Sequence, residues 1–381
     1  MTMTTRRQWL KSALAAGAGL PLSAALVDQL MAAPVSMAER LYGIEPLNNG
    51  KLIRLGSNEN PYGPSEKARK AIIESMAEGN RYAHEVARQL RDTIAQKEGV
   101  APENVLMGCG SSELLCLTGM TVGLEGGAVL SAYPTFRLLM EYAQKFNARW
   151  DSVDLDANMV HDLEALSSAV KGDTKIIFVI NPNNPTGTIL DTEKLKSFCL
   201  EMSRKATVFV DEAYIEFLDQ PEKKTMVQLV KEGNNVIVSR TFSKVYGLAG
   251  LRIGYLIGQP DTLKKMAGKQ IWGNNNQAGL AAARASIDDK AFVEMTRKKN
   301  TEARDFFCKY LDSKKWFYGK SHANVVLFPA PKDGKTILEQ TEKRGFQIRV
   351  WDYQDKEWCR VSIGTLEEMK AFTKAFDEVV A

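Results

Sequence analysis

With 381 residues, 25% charged and 44% hydrophobic, and a formal net charge of +4, the chain can bury one large core or two lobes. The charge is spread along the chain with no basic block or basic–aromatic run, which argues against nucleic acid as a partner. The five cysteines (Cys109, Cys116, Cys199, Cys308, Cys359) are scattered without a CxxC pair and the three histidines (His84, His161, His322) lie far apart, so neither a disulfide framework nor a metal site is expected.

The first element is unlike the rest. Residues 5–11 read Thr-Arg-Arg-Gln-Trp-Leu-Lys, and an Ala/Gly/Leu-rich stretch, roughly Ser12 to Leu30, follows with no acidic residue before Asp28. A charged front and a modest apolar run form the architecture of an export signal. The Arg6-Arg7 pair ahead of Trp9-Leu10-Lys11 resembles a twin-arginine signal. This resemblance implies export of the folded protein, to the periplasm, directed by residues 1–33, with membrane contact through that segment alone. Ser23-Ala24-Ala25 and Met31-Ala32-Ala33 are two cleavage candidates; Pro34 disfavours the second. No later segment carries the roughly 18 consecutive apolar residues of a membrane span.

The body reads as alternating helices and short strands. Ser65 to Gly79 is a helix with Ser65 as N-cap and Ala68, Ile72 and Met76 on one face. Glu85 to Glu98 is a second, with Val86, Leu90 and Ile94 aligned and Gly99 as its stop. Ala128–Ala132, Lys175–Ile180, Ala206–Val210, Asn235–Ser239 and Ile253–Ile257 are strand-sized apolar runs with helix-patterned segments between several of them. That alternation predicts an α/β domain with a mainly parallel sheet. After Asp288 a long charged helix to about Tyr310 leads to a smaller α+β part, with strands expected at Val325–Phe328, Gln347–Val350 and Arg360–Ile363. Ligands of such sheets bind beyond the carboxyl ends of the strands, where most motifs of this chain fall.

Four motifs carry chemistry. Ser239-Arg-Thr-Phe-Ser-Lys244 through Arg252 follows a strand; a lysine there, among hydroxyls and glycines, can condense with an aldehyde. Thr241, Ser243 and Arg252 offer donors to a phosphate; the bland alternative is a flexible basic loop. The segment Ala206 to Asp211-Glu-Ala-Tyr214 ends a buried strand in a carboxylate, which needs a cationic partner such as a protonated pyridine nitrogen, or a plain structural salt bridge. Tyr214 can reach a ring oxygen. Asn181-Pro-Asn-Asn184-Pro-Thr-Gly187 holds two Asn-Pro steps that force extended or turning backbone and can fix Asn184 as a second donor. Gly108-Cys-Gly110-Ser111-Ser112-Glu113 begins a helix, where free N–H groups suit an anion, although simple capping explains them too. No GxGxxG or Walker-type loop occurs, against dinucleotide or ATP use.

Together these motifs resemble the fold-type I pyridoxal-phosphate enzymes, aminotransferase class I/II, and within them the histidinol-phosphate aminotransferase branch. The resemblance spans about residues 40–381 and follows one order: Ser57-Asn-Glu-Asn-Pro-Tyr-Gly-Pro64, Asn80-Arg-Tyr82, Gly110-Ser-Ser, Tyr133-Pro-Thr-Phe136, Asn184-Pro-Thr-Gly, Asp211-Glu-Ala-Tyr214, Ser243-Lys244 to Arg252, and Arg360-Val-Ser-Ile-Gly-Thr365. It implies a seven-stranded-type, mainly parallel sheet between helices, in a large domain over residues 71–287. A segment over 34–70 would join a small α+β domain over 288–381.

The implied cofactor is pyridoxal 5′-phosphate, a cytoplasmic compound that suits export after folding. The resemblance implies that Lys244 forms an imine with it and then shuttles a proton. It also implies that Asp211 pairs with the pyridinium, Asn184 and Tyr214 hold the ring oxygen, and Phe136 stacks on the ring. Gly110, Ser111, Ser112, Thr241, Ser243 and Arg252 would form the phosphate site, and Tyr82 would reach a phosphate across a homodimer interface. Arg360 would fork a substrate α-carboxylate, with Asn60, Tyr62 and Arg349 at the side-chain pocket and no metal. The implied reaction moves an amino group between an amino acid, or a histidinol-phosphate-like amine, and a 2-oxo acid. Gly110-Ser-Ser-Glu stands where that branch more usually has Gly-Ala-Asp-Glu, and histidinol phosphate has no α-carboxylate for Arg360. Decarboxylation or elimination on the same cofactor, and a non-catalytic binding protein, are the competing readings.

Overall fold

β-Branched and aromatic runs alternate with helix-patterned segments, and the computed structural model, which describes residues 52–381, shows how they assemble. The expected export signal, residues 1–33, lies outside the described residues. In chain order the main elements are β1 (Ile53–Arg54), α1 (Glu66–Ser75), α2 (His84–Glu98), β2 (Val105–Gly108), α3 (Gly110–Glu125), β3 (Ala128–Tyr133), α4 (Leu138–Lys145) and β4 (Arg149–Asp154). There follow β5 (Thr174–Ile180), α5 (Thr192–Met202), β6 (Thr207–Asp211), β7 (Val236–Thr241), β8 (Gly254–Ile257), α6 (Pro260–Ala267), α7 (Gln277–Ser286) and α8 (Lys290–Ser313). The chain ends with β9 (Val325–Pro329), α9 (Gly334–Lys343), β10 (Phe346–Gln347), β11 (Arg349–Tyr353), β12 (Lys356–Ser362) and α10 (Leu366–Val380).

Seven strands form one sheet in the order β2-β8-β7-β6-β5-β3-β4. Neighbours from β7 through β4 run parallel, while β8 runs antiparallel to both β2 and β7. Alternate residues along each strand feed two cores. Ile177 and Val179 of β5, Val208 and Val210 of β6, and Val236 and Val238 of β7 join one core with Leu90 and Ile94 of α2 and Leu195 and Phe198 of α5. Ile176, Phe178 and Ile180, with Phe209 and Ile237, face the other core beside α3, α4 and α6. Both faces are covered, so the central strands read as continuous apolar runs rather than alternating ones. Helices α3 and α4 approach closely because residue 119 is glycine: a Cβ there would lie 2.2 Å from the Leu139 carbonyl oxygen.

A second, three-stranded antiparallel sheet has the order β11-β12-β9. It buries Phe307, Phe328, Phe372 and Phe376 with α8 and α10, each side chain worth about 1.5–3 kcal/mol on burial. The N-terminal segment enters this layer through the β1–β10 pairing, with Leu55 in the same core.

The predicted N-cap of α1 and stop of α2 hold. Ser65 accepts the Ala68 N–H, and Gly99 closes α2 at φ 69°. Met76 departs from expectation: it is exposed, because α1 ends at Ser75 and the chain tightens into a 3-10 turn that rotates it off the buried stripe. Three strands escaped the sequence reading: the short β1, and β2 and β4 of the large sheet. β4 is polar because it is an edge, where Arg149 can pair with Asp151 and Asp173 in solvent.

Candidate active site

The carboxyl ends of β2, β3, β5, β6 and β7, and the start of antiparallel β8, meet at one edge of the large sheet. The cleft they form is lined by Ser57, Ser111, Ser112, Phe136, Asn184, Asp211, Tyr214, Thr241, Ser243, Lys244 and Arg252. Ten of the expected residues are thus brought together from five separate connections.

At one end the groups suit an anion. Arg252 donates to Ser243 Oγ at 3.2 Å and to Ser112 Oγ at 3.2 Å, and Thr241 Oγ1 lies 3.0 Å from Ser243 Oγ. The first turn of α3, with Ser111 and Ser112, points its unpaired N–H groups here. Gly110 permits the assembly: at φ 74° a side chain would be strained, and its Cβ would sit 2.3 Å from the Arg252 guanidinium.

Asp211 closes β6 at the centre. It is buried, accepts the Ala213 N–H at 3.2 Å, and makes no ion pair among the described residues. Burial pushes its carboxyl up to about 7, against the pull of that N–H and the nearby Lys244 charge. Lys244 Nζ donates to the Ser57 carbonyl at 3.3 Å and stands 5.5 Å from the centre of the Tyr214 ring.

At the other end Arg360 reaches in from β12. It is 4% exposed, donates to Asn184 Oδ1 at 3.1 Å and to the Gly56 carbonyl, and stacks near the Trp351 ring at 5.8 Å. No carboxylate pairs with it among the described residues, its Nε has no hydrogen-bond partner, and burial pulls it down to about 10. Arg349 sits directly across the ladder from it, exposed.

Three expected residues lie elsewhere. Asn60 and Tyr62 line a separate crevice with Thr296 and Asn324. Both ends of the Asn60 amide are committed to backbone: Nδ2 donates to Val245 O at 2.7 Å and Oδ1 accepts the Tyr62 N–H at 3.0 Å. Asn60 therefore clamps its own loop onto the Lys244 segment instead of lining the cleft. Tyr82 is 76% exposed and stacks with His84 and Trp272 on the surface.

Sequence reasoning missed two supporting groups. Asn58 donates to the Tyr214 hydroxyl at 3.0 Å; its place inside Ser57–Pro64 was the available signal. Behind the cleft Arg240 pairs with buried Glu212 at 2.8 Å, and Glu212 also accepts the Met226 N–H at 2.7 Å. Arg240 precedes Thr241 and Glu212 follows Asp211, so this ion pair fixes the ends of β6 and β7 relative to each other.

The family model for aminotransferase class I and II matches residues 50–376. The histidinol-phosphate aminotransferase of Caldicellulosiruptor saccharolyticus is 34% identical over 348 residues, covering 91% of this chain and 96% of that protein. That of Moorella thermoacetica is 32% identical over 350 residues, covering 91% and 89%. The crystal structure of histidinol-phosphate aminotransferase from Sinorhizobium meliloti in complex with pyridoxal-5′-phosphate superposes with a TM-score of 0.80 at 25% identity, covering 95% of this chain and 98% of that one.

The Asp211 carboxyl has a pH signature in the ligand-free protein. Its folded value of about 7 lies above the unfolded value of about 3.9, so the folded state binds its proton more tightly. The stability this confers is fully present below about pH 4 and is lost as pH rises through about 7. Asp211→Asn removes the titration, so the ligand-free variant should melt several degrees above wild type at pH 8, with the gain vanishing near pH 4. A gain that is equal at both pH values would contradict the burial argument.

Proposed function

We propose specific roles for the site residues of this chain, which belongs to the aminotransferase class I and II family and is a pyridoxal 5′-phosphate-dependent aminotransferase. The observation that carries the roles is one cleft holding Lys244, a buried carboxylate without an ion pair at its centre and an anion cradle at one end, with an unpaired buried arginine reaching in from β12. The residues fit the cofactor: residue 110 is a glycine where a Cβ would collide with Arg252, and Asp211 is a buried carboxylate suited to a cationic ring nitrogen.

Pyridoxal 5′-phosphate, when bound, supplies an aldehyde that takes the amino group and a ring that accepts electron density from the substrate Cα. Lys244 Nζ would hold the cofactor at its aldehyde end and would move the proton at the substrate Cα. Asp211 would pair with the ring nitrogen and keep it protonated. Asn184 has its Oδ1 occupied by Arg360, which leaves Nδ2 to donate to the ring oxygen, where Tyr214 also donates. Phe136 stacks on the ring, worth about 0.5–1.5 kcal/mol beyond burial. Gly110, Ser111, Ser112, Thr241, Ser243 and Arg252 hold the phosphate. Arg360 takes a substrate carboxylate through two N–H groups, and Arg349 across the ladder offers a cation to a second anionic group, such as the phosphate of a histidinol-phosphate-like amine. The amino acceptor is a 2-oxo acid.

Two further readings concern assembly and location. Trp272 and Tyr82, each 76% exposed and in ring contact, and Ile271, likewise 76% exposed, are large apolar side chains in solvent suited to a second copy of the chain, through which Tyr82 would reach the partner's phosphate site. The Arg6-Arg7 segment ahead of its apolar run directs export to the periplasm.

Lys244→Ala should abolish turnover while the protein stays folded; sustained turnover would remove Lys244 from the mechanism. Arg360→Ala should raise KM for amino acids roughly 10–100-fold, the loss of one or two charge-assisted hydrogen bonds, and Arg349→Ala should penalise phosphate-bearing donors selectively. A product analysis that finds carbon dioxide in place of a carbon-conserving exchange would point to decarboxylation. Sedimentation should show two chains per particle, reduced to one by Trp272→Glu; an unchanged dimer places the interface elsewhere. Replacing Arg6 and Arg7 with lysine should hold the protein in the cytoplasm, and unaltered fractionation would contradict the export reading.

A further inference from the structure

Asn58 lies outside any regular strand, 1% exposed, at a left-handed φ of 52°, a conformation that asparagine tolerates better than most residues. Four hydrogen bonds surround it, and one has a direction fixed by covalent chemistry. The Asn58 backbone N–H donates to Ser362 Oγ at 2.8 Å, and a backbone N–H cannot accept. The Ser362 hydroxyl hydrogen is thereby left for its other neighbour, Asn58 Oδ1, at 2.7 Å. With Oδ1 as acceptor, the opposite corner of the amide is Nδ2, which donates to the Tyr214 hydroxyl oxygen at 3.0 Å. Amide orientation is ordinarily an assignment; here the flipped amide would make Ser362 Oγ accept two N–H groups and leave the hydrogen of that buried hydroxyl without a partner, so the orientation with Oδ1 facing Ser362 is favoured.

The consequence falls on Tyr214. One of its lone pairs is occupied, and its own hydrogen has no protein acceptor among the described residues. The Asn58 carbonyl is itself gripped by Asn324 Nδ2 at 3.1 Å, so the anchoring N–H cannot swing away from Ser362. The geometry points to Asn58 as a positioning residue that fixes the hydrogen-bond polarity of Tyr214, compelling the phenol to donate to the ring oxygen of the bound cofactor. This rests on the reading of Tyr214 as donor to that oxygen. The relay runs Ser362 to Asn58 to Tyr214, each hydroxyl or amide polarised by the one before it.

Asn58→Asp tests it with almost no change of shape. An ionised aspartate still accepts from Ser362, but its second oxygen accepts from Tyr214 and reverses the polarity. The readout is the pH at which the visible absorbance of the holoenzyme changes, without substrate. Loss of a donor to an ionised oxygen raises that pH, by about one unit for a hydrogen bond to a charged group. Tyr214→Phe should show this rise. Asn58→Asp should shift the band upward in wild type by more than it does in the Tyr214→Phe background, where only its added charge remains. Ser362→Ala, neutral and less disruptive should Asn58→Asp fail to fold, should give a smaller upward shift that vanishes without the Tyr214 hydroxyl. Equal shifts with and without that hydroxyl overturn the relay alone. No shift in Tyr214→Phe overturns the donor role of Tyr214, and the relay with it.

Discussion

Two buried charges of opposite sign, Asp211 and Arg360, lack a counter-ion within the described chain, and the site is arranged around them. An uncompensated buried charge costs several kcal/mol in principle, and ordinary cores remove such costs by pairing, as Arg240 and Glu212 do just behind the cleft. Asp211 relieves part of its cost by holding a proton near neutral pH. Arg360 has no such escape, since a guanidinium stays charged, and it leans instead on carbonyl oxygens and the Trp351 ring. Each therefore gains from a ligand charge of the right sign. In the roles proposed above, a pyridinium beside Asp211 and a carboxylate beside Arg360 would complete pairs that folding leaves open, so part of the cost of burying each charge would return as binding energy for cofactor and substrate.

Those charges can be held open only because their surroundings are stiff. The Arg240–Glu212 pair ties β6 to β7 one residue after Asp211 and one before Thr241. Gly110 and Gly254 let the first turn of α3 lie against the start of β8, where Cβ atoms would strike Arg252 and the Ser111 nitrogen. Asn60 ties the loop of Ser57 to Val245, beside Lys244. The cleft is thus bounded by backbone and by buried pairs.

Much of this was legible in the sequence, and the reason is local. β5, β6 and β7 are buried on both faces, so Lys175–Ile180, Ala206–Val210 and Asn235–Ser239 stood out as apolar runs, and residues at or just beyond their ends, Ile180, Asp211 and Thr241, line the cleft. Phosphate-end and ring-end residues followed because each sits within a few positions of a strand end. β4 was hidden because an edge strand need not be apolar, and Met76 was misplaced because periodicity does not reveal where α1 tightens. Asn60 and Asn58 show the limit most sharply. They are two residues apart in one motif, yet the first is spent on backbone and the second reaches Tyr214; the difference arises from Val245, Ser362 and Asn324, residues 185, 304 and 266 positions distant from their partners, which no local pattern encodes.

The β12 strand joins these themes. Cross-strand pairing with β9 and β11 holds it in register, and successive inward residues on it do different work: Arg360 meets Asn184, and Ser362, two residues on and therefore on the same face, sets the direction of the Asn58 amide. Asn184 and Tyr214, the two side chains read as donors to the ring oxygen, are thus both oriented from one short stretch of the second sheet. Any movement of β12 that accompanied the proposed capture of an anion by Arg360 would act on the hydrogen bonds of Asn184 directly and of Tyr214 through Asn58. In the roles proposed above, substrate recognition and the electronic setting of the cofactor would then share a single mechanical support, reached through Asn58 at its positive φ.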